Sequence, residues 1–169
     1  MEKLWSPWRS NYIESFKKKK EAESCVFCRA QNESIESDDC LVVYKGENCF
    51  VTLNLYPYNS GHLMVIPNRH TCDFSSITAE EMKEIMDTVQ LTMKALDLVM
   101  KPQGYNFGAN LGKAAGAGID EHIHFHVLPR WNGDTNFMPA IGEVKVISQD
   151  LLVTKKNLLT AFKEAQKQN

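Results

Sequence analysis

Histidine stands at every second position in Glu121-His122-Ile123-His124-Phe125-His126-Val127-Leu128-Pro129-Arg130-Trp131, and that alternation constrains the chain more than any other feature. In a β-strand successive side chains point to opposite faces, so the three imidazoles share one face and Ile123, Phe125 and Val127 the other. A rise of about 3.3 Å per residue puts successive imidazoles roughly 6.5–7 Å apart at their backbone anchors. The apolar face accounts for its own burial. The histidine face buries nothing useful, so packing does not explain it. One reading is a metal-binding HxH strand, since imidazole is a common ligand. A second comes from Gly116-Ala117-Gly118 just before the strand and Asn110-Leu111-Gly112 before that. Small residues let a backbone approach a ligand closely, and exposed N–H groups on such a loop suit phosphate oxygens. Histidines facing a phosphate cradle point to phosphorus chemistry.

Around this stretch the pattern is of sheet plus helix. Leu41–Lys45 and Cys49–Asn54 are apolar runs split by Gly46-Glu47-Asn48, a hairpin signal. Tyr56-Pro57-Tyr58-Asn59-Ser60-Gly61 is turn chemistry, and His62–Pro67 reads as the next strand. Thr78-Ala79-Glu80-Glu81 has the form of a capping box. Met82, Ile85, Met86, Val89, Met93, Leu96 and Met100 then recur at helical spacing until Lys101-Pro102 stops the helix. Tyr105–Asn110 and His122–Leu128 are the fourth and fifth strand candidates. Leu151, Leu152, Leu158, Leu159 and Phe162 mark a C-terminal amphipathic helix, with a polar tail expected from Lys163. The spacing predicts an α+β fold: an antiparallel sheet of about five strands with one central helix against it and a helix at the C-terminus.

The 169 residues suit a single domain, 1–169, with an N-terminal arm over about 1–24 that carries Trp5-Ser6-Pro7-Trp8. A net charge of −2 offers no electrostatic attraction for nucleic acid or a membrane surface. No long apolar run or signal-peptide pattern is present, so a cytoplasmic location is expected. The five cysteines are then thiols or metal ligands rather than a disulfide framework, with Cys40, Cys49 and Cys72 expected as small, partly buried residues.

His122-x-His124-x-His126 followed by Val127-Leu128-Pro129-Arg130 resembles the signature of the histidine-triad nucleotide hydrolases and transferases. Asn54, eight residues before His62, and Pro67-Asn68-Arg69-His70 extend the likeness, which runs from about Cys25 to Trp131. The resemblance implies a two-fold dimer, a small nucleotide substrate and no organic cofactor. It places Asn54 at the ribose and His62 near the phosphate. Cys25-Val26-Phe27-Cys28 alone is compatible with redox or zinc chemistry, and His70 is a third candidate ligand. Related proteins complete such a structural zinc site with the first triad histidine, here His122.

A neutral imidazole is a good nucleophile toward phosphorus, and most of it is neutral at physiological pH. His124 has a histidine on each side and is the nucleophile expected, in agreement with the resemblance. His126 then hydrogen-bonds the phosphate, while Asn110 and the N–H groups of Gly116, Ala117 and Gly118 stabilise charge on its oxygens. Arg130 has two readings, a phosphate contact or a structural salt bridge. Trp131-Asn132-Gly133-Asp134-Thr135-Asn136-Phe137 resembles the segment after the triad in diadenosine tetraphosphate phosphorylases. Water and inorganic phosphate both stay open as the acceptor, and a zinc-bound nucleotide sensor with little turnover is the alternative class. If His124 is the nucleophile, His124→Ala abolishes turnover while nucleotide binding stays measurable. Labelled substrate then traps an acid-labile adduct on the parent protein only, and comparable turnover by the variant rules the covalent route out.

Overall fold

The computed structural model describes residues 25–134 and 149–167. The arm expected over 1–24 and the end of the Trp131–Phe137 segment, from 135 on, lie outside them. In chain order the elements are helix α1 (Val26–Asn32), strands β1 (Val42–Lys45), β2 (Cys49–Leu53) and β3 (Leu63–Pro67), helix α2 (Ala79–Met100), strands β4 (Gly104–Gly108) and β5 (Phe125–Arg130), and helix α3 (Leu151–Gln166). Short 3-10 turns occupy Phe74–Ser76 and Lys113–Ala115. The five strands form one sheet in the order β1-β2-β3-β5-β4, every pair antiparallel. This is the α+β sheet that the periodicities predict.

The larger core lies between the sheet and helices α2 and α3. Val51, Leu53, Leu63, Val65, Phe125 and Val127 come from one sheet face, and Ile85, Leu96, Leu158 and Phe162 come from the helices. Helix α2 starts as its sequence requires. The Thr78 hydroxyl accepts the Glu81 N–H and the Glu81 carboxylate accepts the Thr78 N–H, so each satisfies a donor that the first turn leaves open. At the far end Lys101 takes a left-handed backbone, φ 47°, before Pro102. Helix α3 continues past the expected polar tail to Gln166, because Ala165 is still buried against the core. No helix among the described residues is long and apolar enough to cross a membrane.

Two expectations need correction. The histidine face does bury something: it is covered by α1, a seven-residue helix too short to show periodicity in the sequence. Phe27 joins Val42, Phe50, Met64 and Ile66 in a second apolar cluster on that side, and His122 and His124 are themselves only 0% and 5% exposed. The last strand also begins later than His122. β3 pairs with β5 only from Leu63↔Val127 to Val65↔Phe125. Beyond that point Pro67 has no N–H to give, and its carbonyl is taken by His122 Nε2 at 3.0 Å. Ile123 instead donates its N–H to the Thr71 carbonyl, 2.7 Å away. The chain stays extended and the alternation survives without the ladder. Cys72, for its part, is exposed, whereas Cys40 and Cys49 are buried.

Gly61 fixes the approach of the β2–β3 loop. It has φ 75°, and a Cβ there would sit 2.5 Å from Met100 Sδ of α2. Glycine takes this left-handed backbone without strain, and so suits the loop that carries His62 where it closes onto that helix.

Arg69, beside His70, grips the Glu81 carboxylate with Nε and Nη2 at 2.9 and 2.8 Å, so one carboxylate serves both the cap and the loop after β3. The guanidinium, then the Thr78 N–H, hold the Glu81 carboxyl at about 2, well below its ordinary value. A carboxyl depressed on folding stabilises the native state above its unfolded pKa, and that contribution disappears as pH falls through the folded one. Glu81→Gln should therefore lose on the order of 1 kcal/mol near neutral pH and show a flatter stability–pH curve between about pH 5 and 2. Urea unfolding across that range measures it, and parallel curves for the two proteins would refute the assignment.

Candidate active site and metal centre

Four side chains from three parts of the chain meet at the start of the histidine stretch. Cys25 is the N-cap of α1 and Cys28 lies one turn on; His70 comes from the loop after β3, and His122 from the approach to β5. Their ligand atoms all lie within 4.8 Å of one another. His122 Nδ1 is 3.5 Å from Cys25 Sγ, 3.7 Å from Cys28 Sγ and 3.3 Å from His70 Nδ1, and Cys28 Sγ is 3.4 Å from His70 Nδ1. A tetrahedral zinc with two sulfur and two nitrogen ligands has edges of about 3.3 Å for N–N and about 3.6 Å for N–S. The observed edges match these to within about 0.2 Å.

The protonation pattern fits as well. A carbonyl only accepts, so the contact with Pro67 puts the His122 proton on Nε2 and leaves Nδ1 bare toward the cysteines. Burial holds the His122 pKa below its ordinary value, which favours the neutral form a metal ligand needs. With Nε2 on Pro67 and Nδ1 on the cluster, both nitrogens are engaged. His122, expected among the catalytic histidines as well as the metal ligands, is held at the approach to β5 by these contacts.

The same logic settles His124. Its Nδ1 lies 2.9 Å from the His122 carbonyl, so Nδ1 carries the proton and Nε2 keeps its lone pair. Burial lowers its pKa, so the ring is neutral at physiological pH. Phe27 packs against it with ring centroids 5.1 Å apart, and against His122 edge-on at 5.6 Å.

His126 is set from the other side, through His62. The Tyr58 N–H donates to His62 Nδ1 at 3.0 Å, and Asn54 Nδ2 approaches the same atom at 3.4 Å. A backbone N–H can only donate, so His62 carries its proton on Nε2 and passes it to His126 Nδ1, 2.9 Å away. His126 must then be protonated on Nε2. That atom is buried and has no hydrogen-bond partner among the described residues. Burial first, then the field of His124, bring the His126 pKa down to about 4, so the ring stays neutral until the solution is strongly acidic. His124 and His126 lie edge-to-face with centroids 4.9 Å apart. A lone pair and an unused N–H donor thus stand side by side.

Most of the other predicted site residues have their own local partners. His62 is 0% exposed and stands behind His126, with its Nε2 2.9 Å from His126 Nδ1. Asn54 Oδ1 accepts the Tyr56 N–H at 2.9 Å, which closes the turn after β2. Gly116, Ala117 and Gly118 do follow β4, yet the 3-10 turn uses the N–H groups of Gly116 and Ala117 internally, on Lys113 and Gly112. Of the three, only Gly118 keeps an N–H without a carbonyl partner among the described residues. Asn110 is half-buried at the start of this loop. Arg130 forms the salt bridge: Nε and Nη2 grip Asp134 at 2.7 Å each, and Nη1 reaches Asn106 at 2.6 Å. Sequence reasoning missed Phe27, whose only signal is its place between the two cysteines. It also missed Tyr58, whose contribution is a backbone N–H and a ring 4.7 Å from that of His62.

Comparison with known proteins agrees with this geometry. Residues 36–133 match the HIT domain. The chain is 39% identical over 165 residues to a Mycobacterium tuberculosis protein named AP-4-A phosphorylase, covering 96% of this chain and 85% of that one. It is 29% identical over 135 residues to an adenosine 5'-monophosphoramidase of Schizosaccharomyces pombe, across 76% of this chain and 96% of the relative. A zinc-bound histidine triad family protein from Mycobacterium smegmatis superimposes with a TM-score of 0.68 at 28% identity, covering 86% of this chain and 98% of its own. The match takes in the whole sheet, the paired histidines and the loop between β4 and β5, and the chain belongs to the histidine-triad (HIT) domain family.

Proposed function

We propose that this protein is a dinucleoside polyphosphate phosphorylase that works through a nucleotidyl-His124 intermediate. The observation that carries the reading is the pair of complementary atoms, the His124 Nε2 lone pair and the His126 Nε2–H donor, each fixed by a chain of hydrogen bonds. The His124 lone pair attacks the α-phosphorus and forms an N–P bond as the bond to the bridging oxygen breaks. The Nε2–H of neutral His126 donates a hydrogen bond to the departing oxygen and stabilises its charge, while the His62 Nε2–H holds the His126 ring from behind, and the remaining phosphate chain leaves as the nucleoside triphosphate anion. A phosphate oxygen then attacks that phosphorus, an O–P bond forms as the N–P bond to His124 breaks, a nucleoside diphosphate leaves, and the His124 lone pair is restored. The relative named AP-4-A phosphorylase, similar over nearly the whole chain, favours phosphate over water and an adenine dinucleotide as substrate.

Since Arg130 is committed to Asp134, the acceptor is held by the loop after β4, where Asn110 and the Gly118 N–H are the groups best suited. Cys25, Cys28, His70 and His122 hold a structural zinc, which supplies no proton chemistry and fixes the backbone that carries His124. The chain acts as the two-fold dimer that the family resemblance implies.

Two measurements test this reading. Diadenosine tetraphosphate with added phosphate should yield ADP and ATP, and without it AMP and ATP at a lower rate; AMP as the sole new product in excess phosphate would rule out the phosphorylase. Metal analysis should find about one zinc per chain, with Cys25→Ser losing most of it together with thermal stability. Zinc-free parent protein, or a variant that keeps its zinc in full, refutes the metal centre.

A further inference from the structure

The cysteines of the metal centre differ in access from the others in the fold. Cys40 and Cys49 are buried, and Cys72 is exposed but lies outside the cluster. Cys25 and Cys28 are half-exposed, three residues apart, with their sulfurs within 4.8 Å of each other. The Cys28 contact with His70 is on the solvent side, and the Cys25 contact with His122 is partly covered. Between the two lies Phe27, which packs on the ring of His124.

We propose that Cys25 and Cys28 form an oxidation site through which a hydroperoxide switches the nucleophile off, because the same short helix carries both sulfurs and the ring that seats His124. The proposal rests on the metal and nucleotidyl-transfer readings above. The Cys28 sulfur, on the open side, attacks one peroxide oxygen. The O–O bond breaks and Cys28 becomes a sulfenic acid. The Cys25 sulfur then attacks Cys28, forming an S–S bond as the S–O bond breaks. The two sulfurs together lose two electrons, the peroxide gains them, and with two protons from solvent it leaves as water and the corresponding alcohol, or as two waters from hydrogen peroxide. Zinc loses two of its four ligands and departs.

Closure of the disulfide also deforms α1. Cys25 is the N-cap and Cys28 a first-turn position, and a disulfide draws their sulfurs, which lie within 4.8 Å, to about 2.05 Å. The first turn must tighten, and it has little to resist with: seven residues, and an N-cap with no side-chain hydrogen bond. Phe27 sits in that turn. At the same time His122 is released on its Nδ1 side, and its carbonyl is the group that holds the His124 proton in place.

The test is treatment of the zinc-loaded protein with hydrogen peroxide, read in three ways. A chromophoric chelator should register release of the zinc. The mass of the peptide spanning Cys25 and Cys28 should fall by that of two hydrogens. Formation of the labelled His124 adduct from diadenosine tetraphosphate should slow by about tenfold, a size typical of losing the groups that orient a site, and recover with dithiothreitol plus zinc. Cys72→Ser should respond as the parent does. Zinc retained under peroxide, or a disulfide formed with adduct formation unchanged, overturns the switch alone. Protein that carries no zinc before oxidation overturns the metal reading and the switch with it. Zinc-loaded protein that forms no adduct before oxidation overturns the nucleotidyl-transfer reading and the effect on His124.

Discussion

The hydrogen bond from His122 Nε2 to the Pro67 carbonyl, 3.0 Å long, is the contact on which the site depends. It stands where the β3–β5 ladder can go no further, because proline has no N–H to continue it. It also fixes which nitrogen of His122 is bare, and so aims Nδ1 at Cys25, Cys28 and His70. With His122 held on both sides, its own carbonyl is in place to take the His124 proton. One backbone acceptor at the end of a strand thus orders the Cys/His cluster and the His124 ring in succession.

The four histidines nearest the chemistry are governed by a simple rule, that backbone groups have only one role each. Carbonyls accept, at Pro67 for His122 and at His122 for His124. The Tyr58 N–H donates, and through His62 it decides the tautomer of His126. Burial removes the remaining freedom by keeping His122, His124 and His126 neutral. Neutral rings with assigned protons can give one lone pair and one donor to the same ligand atom group. Charged or freely flipping rings could not.

Much of this was legible beforehand. The alternation at 122–127 is a property of strand geometry and needs no partner, so it held even where the ladder did not form. The capping box at Thr78 and Glu81 and the apolar spacing of α2 are local, and they appear as the sequence implies. Cys25, Cys28, His70 and His122 could be named by resemblance as a ligand set, and they converge. What could not be read was local in a different sense. Helix α1 is too short for a periodic signal, so the cover over the histidine face went unseen, and with it the burial that sets the histidines' charge.

The sequence by itself determined the five strands, the two long helices and the chemical types at the site, because side-chain periodicity and capping depend on neighbours a few residues away. Tertiary structure alone decided roles. Arg130 became a partner of Asp134, because Asp134 offers two oxygens in the geometry that a guanidinium fits. His62 moved behind His126 and two loop N–H groups turned inward, because buried polar groups pair with whatever the fold brings within reach. Which nitrogen carries a proton is likewise settled by atoms distant in sequence: Pro67 lies 55 residues from His122, and His62 lies 64 from His126. Reactivity at this site is a matter of those partners, and only folding supplies them.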